Sequence, residues 1–152
     1  MELSLCRRVA TRQYLGGRAM QDAAAAPLVV FIVEDQELVR QTIVPSLEEA
    51  GYSVLEASSG DAALTVLEER GSTIRALVTD VDLGGKITGW DIAHRAREIN
   101  ASLPVVYMTG ANGEGWAANG VPNSLLLTKP FAPAQLVTAI SQLLNATPQL
   151  PT

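Results

Sequence analysis

The chain has 152 residues, 47% of them apolar, which suits one domain with a substantial core. Its formal charge of −5 is unevenly placed, because residues 1–26 carry four arginines against Glu2 and Asp22 while the remainder is strongly acidic. An acidic body argues against nucleic acid as a direct partner, the single Cys6 excludes an internal disulfide and suits a reducing, cytoplasmic compartment, and no apolar run approaches the ~18 residues of a membrane span. Residues 1–27 hold arginines with no apolar stretch behind them, so they do not read as a secretory signal and are expected to form a disordered extension. An ordered domain is expected over residues 28–145, with a loose tail over 146–152 that contains two prolines.

The run at 28–33 is continuously apolar, as in a parallel strand buried on both faces. A helix over 36–50 would put Val39, Ile43, Leu47 and Ala50 on one side, with Pro45 expected to kink it and Gly51 to end it. Residues 52–57 form a second strand. Ser59 or Asp61 then caps a helix that runs to Arg70 and is followed by Gly71. A third strand over 74–79 leads into Asp80, and the loop after it contains Gly84 and Gly85. Helix three, 90–99, turns Ile92, Ala93, Ala96 and Ile99 inward, with Trp90 at its start read as a packing residue. The fourth strand is 104–108. Residues 112–120 are rich in Gly and Asn, so any helix there should be short and weak, and Trp116 between glycines is a candidate interface residue. A fifth strand, 124–127, precedes a last helix over 133–145 with Pro133 in its first turn and Leu136, Ile140, Leu143 and Leu144 as its apolar stripe. Strands and helices that alternate in this way predict an α/β fold with a doubly wound parallel sheet covered on both faces, and sites on such sheets lie at the carboxyl ends of the strands.

Those ends carry the chemistry. Strand one ends in Glu34-Asp35, strand three in Asp80, strand four in Thr109-Gly110 and strand five in Lys129-Pro130. Any one of these residues alone is ordinary; polar groups at four strand ends together point to a site. Carboxylates held close repel one another, and a hard divalent cation such as Mg2+, which prefers oxygen ligands, relieves the repulsion. Asp35 and Asp80 are the candidate direct ligands, with Glu34 acting through water or by orienting its neighbours. A carboxylate can attack phosphorus to give an aspartyl-phosphate, and such transfer needs charge neutralisation and positioning more than acid–base chemistry. Lys129 offers a positive charge, the Thr109 hydroxyl a donor, and Gly110 room for a phosphate near the backbone. His94 stands mid-helix, outside the set.

The stretches VVFIVEDQ (29–36), ALVTDVDL (76–83), PVVYMTGA (104–111) and LLLTKPF (125–131) resemble those of the receiver domains of two-component signalling, over residues 28–145. The resemblance implies a five-stranded, flavodoxin-like sheet of strand order 2-1-3-4-5. It also implies phosphoryl transfer to Asp80 from a histidine kinase or histidine phosphotransfer protein. Glu34, Asp35 and Asp80 would form the metal pocket, with the backbone carbonyl of Asp82 completing the shell. Thr109, Gly110 and Lys129 would hold the phosphoryl group, and the Lys129–Pro130 bond would be cis. The chain departs from the common pattern in three ways. Leu126 stands where a switch aromatic is usual, Gly84-Gly85 replaces the usual proline in a loop one residue longer, and residues 112–120 are unusually glycine-rich. Leu126 and Trp116 are therefore the switch and output candidates. The side chains at Asp82 and Ala111 are expected to influence the lifetime of the phosphoryl group.

The expected role is a stand-alone receiver that signals through an unknown downstream protein, as a monomer or weak homodimer, and turns over no other substrate. A receiver segment of a hybrid histidine kinase or a phosphorelay sink would read the same way. A phosphatase of the haloacid dehalogenase class shares the Asp80-Val81-Asp82 pattern, but it needs an acidic pair after the lysine and none follows Glu114. A binding module that has lost phosphorylation is the remaining alternative.

Overall fold

A computed structural model describes residues 26–110 and 115–146. The expectations for the N-terminal extension, for the first part of the glycine-rich segment and for nearly all of the tail lie outside these residues. The apolar runs form five strands: β1 (Val29–Val33), β2 (Ser53–Ala57), β3 (Ile74–Asp80), β4 (Val105–Thr109) and β5 (Ser124–Thr128). They pair in parallel, in the order β2-β1-β3-β4-β5. The helices between them are α1 (Glu37–Glu49), α2 (Gly60–Arg70), α3 (Gly89–Ile99), α4 (Trp116–Asn119) and α5 (Pro133–Ala146). Three strands reach one residue further than the sequence indicates, because parallel ladder bonds do not distinguish the polar residues that end them. Asp80 pairs with Met108, and Thr109 with Thr128.

Alternation along each strand divides the core in two. Val30, Ile32, Ala76, Val78, Val106 and Met108 face α1 and α5, where they meet Ile43, Leu47, Leu136 and Ile140. Phe31, Val33, Leu77, Val105 and Tyr107 face α2 and α3, where they meet Ala63, Leu67, Ile92, Ala93 and Ala96. Both faces are dry, so the strands read as unbroken hydrophobic runs. Emptying one such position, as in Leu47→Ala, costs about 2–5 kcal/mol.

Helix ends follow local chemistry. α1 runs unbroken through Pro45, which lies exposed, and is followed by Gly51 at φ +100°. Ser59, not Asp61, caps α2, its Oγ accepting from Ala62 N–H at 3.0 Å. Gly71 does not close α2 in a left-handed turn: at φ −56° it enters a 3-10 turn (Gly71–Thr73). There a Cβ would lie 3.1 Å from Ile99 Cδ1, so packing rather than turn geometry asks for glycine. α3 starts one residue before Trp90, in a capping box between Thr88 and Asp91. α4 has four residues, as short as the Gly/Asn content indicates. No helix among the described residues is long and apolar enough to cross a membrane.

Candidate functional site

The strand order puts β1 and β3 side by side, with β4 and β5 next in line, so the polar residues at their carboxyl ends converge. One carboxylate oxygen from each of Glu34, Asp35 and Asp80 lies within 4.8 Å of the others. Glu34 is fully buried, Asp80 is 7% exposed, and Asp35 is exposed at the mouth. Lys129 reaches across the sheet end. Its Nζ donates to Glu34 Oε2 at 2.7 Å and to Asp80 Oδ2 at 3.0 Å. Thr109, nearly buried, links the two remaining strands, its carbonyl accepting from Lys129 N–H at 2.7 Å. Gly110 is exposed, and a Cβ there would meet nothing within 4 Å. Asp82 lies in the loop after β3. Its N–H donates to Asp80 Oδ1 at 3.3 Å, while its own carboxylate turns to Gly84 N–H at 3.1 Å. The Lys129–Pro130 peptide is cis.

The electrostatics show a site short of positive charge. Burial pushes the Glu34 carboxyl up to about 7, with the Asp80 carboxylate adding to the rise. The hydrogen bonds from Lys129 and from Gln36 N–H pull it only part of the way back. Burial alone would lower the Lys129 ammonium, but its bonds to Glu34 and Asp80 outweigh that and leave it raised. One ammonium thus bridges two carboxylates of a cluster of three. The donor set is all oxygen and carries surplus negative charge, which fits a hard divalent cation.

Two further residues shape the site without a signal in the sequence. Arg40 of α1 donates from Nη1 to the Glu34 carbonyl at 2.6 Å and pairs with Glu56 of β2 at 3.3 Å, fixing the turn that carries Glu34 and Asp35. Gly89 donates its N–H to the Val81 carbonyl at 2.8 Å, and a Cβ there would overlap the Asp80 carbonyl. The first turn of α3 therefore backs directly onto the strand end that carries Asp80.

The switch and output candidates lie away from the carboxylates. Leu126 is paired with Tyr107 and packs into the α2–α3 side of the core. Trp116 is half-buried on the same side, its indole N–H donating to Ser124 Oγ at 3.0 Å. Trp90 packs on Tyr107 with ring centroids 4.7 Å apart, as a packing residue should. His94 stays outside the acidic site and donates from Nε2 to the Asn119 carbonyl at 2.9 Å.

The family model of the response regulator receiver domain matches residues 30–141. The chain belongs to the response regulator receiver family. The receiver is 39% identical to a response regulator receiver protein of Sinorhizobium medicae of known structure, with a TM-score of 0.77 over 80% of this chain and 98% of that one. It is 30% identical to the response regulator receiver protein CpdR of Brucella abortus, over 77% of this chain and 97% of that protein. It is also 31% identical to part of the sensor kinase CckA of the same organism, of which it spans 12%, and it spans about half of several transcriptional regulatory proteins that it matches. Receivers are signalling modules rather than enzymes that turn over a substrate, and the family match sets aside the dehalogenase-type phosphatase.

Proposed function

We propose that this receiver accepts a phosphoryl group on Asp80 and signals by binding another protein. The observation that carries the reading is the double hydrogen bond of Lys129 to Asp80 and Glu34 inside a three-carboxylate cluster. A carboxylate oxygen of Asp80 attacks phosphorus. The bond from phosphorus to its donor breaks, and the donor group leaves with the electron pair. Lys129 then moves its charge from the carboxylate onto the phosphoryl oxygens, and the Thr109 hydroxyl and the open backbone at Gly110 take up the rest of the group. Glu34, Asp35, Asp80 and the Asp82 carbonyl would hold Mg2+, which when bound offsets the negative charge on the transferred group. The proposed donors are a histidine kinase or a histidine phosphotransfer protein. The receiver works as a stand-alone module, monomeric or weakly dimeric, a reading favoured by the likeness to CpdR, 97% of which the match covers. The match within the sensor kinase CckA favours a second reading, a receiver segment of a hybrid kinase, in which Asp80 has the same task.

The test is intact-mass spectrometry after incubation with acetyl phosphate or phosphoramidate. A single adduct of about 80 Da that requires Mg2+ and is absent from Asp80→Asn is the expected result. An adduct that persists in Asp80→Asn would place the acceptor elsewhere. No adduct with these donors or with a kinase, in a folded protein that binds Mg2+, would leave the module as a binding domain only.

A further inference from the structure

Among the described residues the half-buried cations are Arg40, Arg95, Arg97 and Lys129. Three of them pair with carboxylates: Arg40 with Glu56, Arg95 with Glu68 and Glu98, and Lys129 with Glu34 and Asp80. Arg97, in the last turn of α3, pairs with no described carboxylate. Its Nε donates to the Leu103 carbonyl at 2.7 Å and its Nη2 to the Asn123 carbonyl at 3.4 Å. Burial lowers this guanidinium from its ordinary value, and only Tyr107 acts the other way. A guanidinium has five N–H donors, and these two bonds occupy its Nε side. The Nη1–Nη2 end keeps three donors in the flat fork that takes a carboxylate by two parallel bonds.

Arg97 lines a cavity of about 540 Å3 at the amino ends of β4 and β5. Pro104, Leu125 and Leu143 give this cavity apolar walls, and Ser102 and Asn123 give it polar ones. Asn123 is held at φ +59°, and its carbonyl is one of the two that fix the guanidinium. A positioned charge beside apolar walls, in a space between about 300 and 1,000 Å3, is the composition of a small-ligand site. The cavity lies at the far end of the sheet from the acidic cluster. The five residues of β4 separate the two ends, roughly 15 Å of strand.

We propose that this cavity is a second ligand site of the receiver, one that takes a small organic carboxylate with a short apolar body. The carboxylate docks on the open fork of Arg97, and the apolar body lies against Pro104, Leu125 and Leu143. A single guanidinium matches a single negative charge. The acidic body around it makes a doubly charged anion such as phosphate a poorer occupant, and the apolar walls reward carbon rather than more oxygen. The two carbonyl bonds tie α3 to the turns before β4 and β5, but they do not neutralise the charge, which the bound carboxylate does. The proposal goes beyond the acceptor role of Asp80 and does not depend on it.

The test is a nitrogen-15 NMR titration of the full chain with acetate, butyrate, hexanoate and 3-phenylpropionate, with neutral hexanamide as the control. The expected result is a saturable shift of the Arg97 Nε–H and of the Ser102, Asn123 and Leu125 amides. Affinity should rise about threefold or more per methylene from acetate to butyrate. Hexanamide and the Arg97→Gln protein should each show binding weaker by about tenfold or more. If Arg97→Gln does not fold, Ala101→Glu serves instead. Position 101 is exposed on the cavity lining, so the new carboxylate competes for the fork and should weaken hexanoate equally. Asp80→Asn should bind hexanoate as wild type does, which keeps this result apart from the fate of the acceptor reading. No saturable shift with any of the four acids would overturn the site. Equal affinity for acetate and hexanoate would overturn it too, since Arg97 would then hold only a surface counterion. So would hexanoate binding that is unchanged in Arg97→Gln or, where that variant does not fold, in Ala101→Glu.

Discussion

At the ends of β1 and β3 the buried charged groups are held by close partners: Arg40 holds the Glu34 carbonyl, Lys129 from the end of β5 bridges Glu34 and Asp80, and Gly89 lets α3 close onto the Asp80 carbonyl. On the β4–β5 side the sheet ends in a four-residue helix seated by one indole, and leucine stands at position 126. The first side is built for chemistry, where donor and acceptor positions must not drift. The second is held more lightly at α4, which has no buried residue and only short-range backbone bonds. One domain thus keeps a tightly bonded acidic cluster, which draws its ammonium from the end of β5, beside a lightly held α4.

The largest effect expected from breaking that division comes from Lys129. Lys129→Ala removes the ammonium shared by Glu34 and Asp80, and should slow adduct formation by about 10²–10³-fold in time-resolved mass spectrometry. A loss below tenfold would show that the bridge is structural only. Next comes Gly89→Ala, whose new Cβ must displace the Asp80 strand end or the start of α3. About 3 kcal/mol of stability should be lost in urea unfolding. Gly85→Ala, in the loop just before α3 with nothing within 4 Å, should change stability by less than about 0.5 kcal/mol, so the pair isolates the close approach at Gly89.

The third prediction concerns pH. The Glu34 carboxyl holds its proton up to about 7 in the fold, against an ordinary value of 4.5. Between those values the folded chain is protonated there while the unfolded chain is not, so the metal-free receiver should gain stability as pH falls from about 7 towards 4.5. Lys129 is raised from 10.5, so its contribution is constant across that window and does not reverse the trend. Mg2+ affinity should run the opposite way, falling about tenfold per unit below pH 7, because the cation needs the ionised carboxylate. Thermal melts and Mg2+ titrations at several pH values check both slopes, and Glu34→Gln should flatten both. Smallest is Trp116→Phe. Loss of the indole donor should cost about 1 kcal/mol and leave the rate of adduct formation within a factor of about three, since the indole bonds Ser124 and none of the carboxylates.

The proposed metal and phosphoryl residues were legible as a set because buried parallel strands are written as unbroken apolar runs, so the polar residues that close each run mark a strand end. Glu34, Asp80, Thr109 and Lys129 all stand at such places. Arg40 was not legible, because its contact with the Glu34 carbonyl depends on how α1 lies on the sheet, which no spacing within the helix records. Gly89 was hidden for a different reason. It sits at the start of α3 and carries no positive φ, and its need for a bare Cα comes from a strand end nine positions earlier. The pairing of Trp116 with Ser124 was also invisible, since Gly115 and Gly120 around the indole advertise a loop rather than a seat for a ring.

The hydrogen bond between Lys129 and Glu34 joins residues 95 positions apart, and that from Lys129 to Asp80 spans 49. During synthesis, β1 and β3 leave the ribosome long before β5, so for much of translation the three carboxylates have no ammonium beside them. A chain that lacks β5 therefore lacks the ammonium bridge between Glu34 and Asp80. Assembly of the acidic cluster with its ammonium is thus a long-range event in folding, complete only when the last strand joins the sheet.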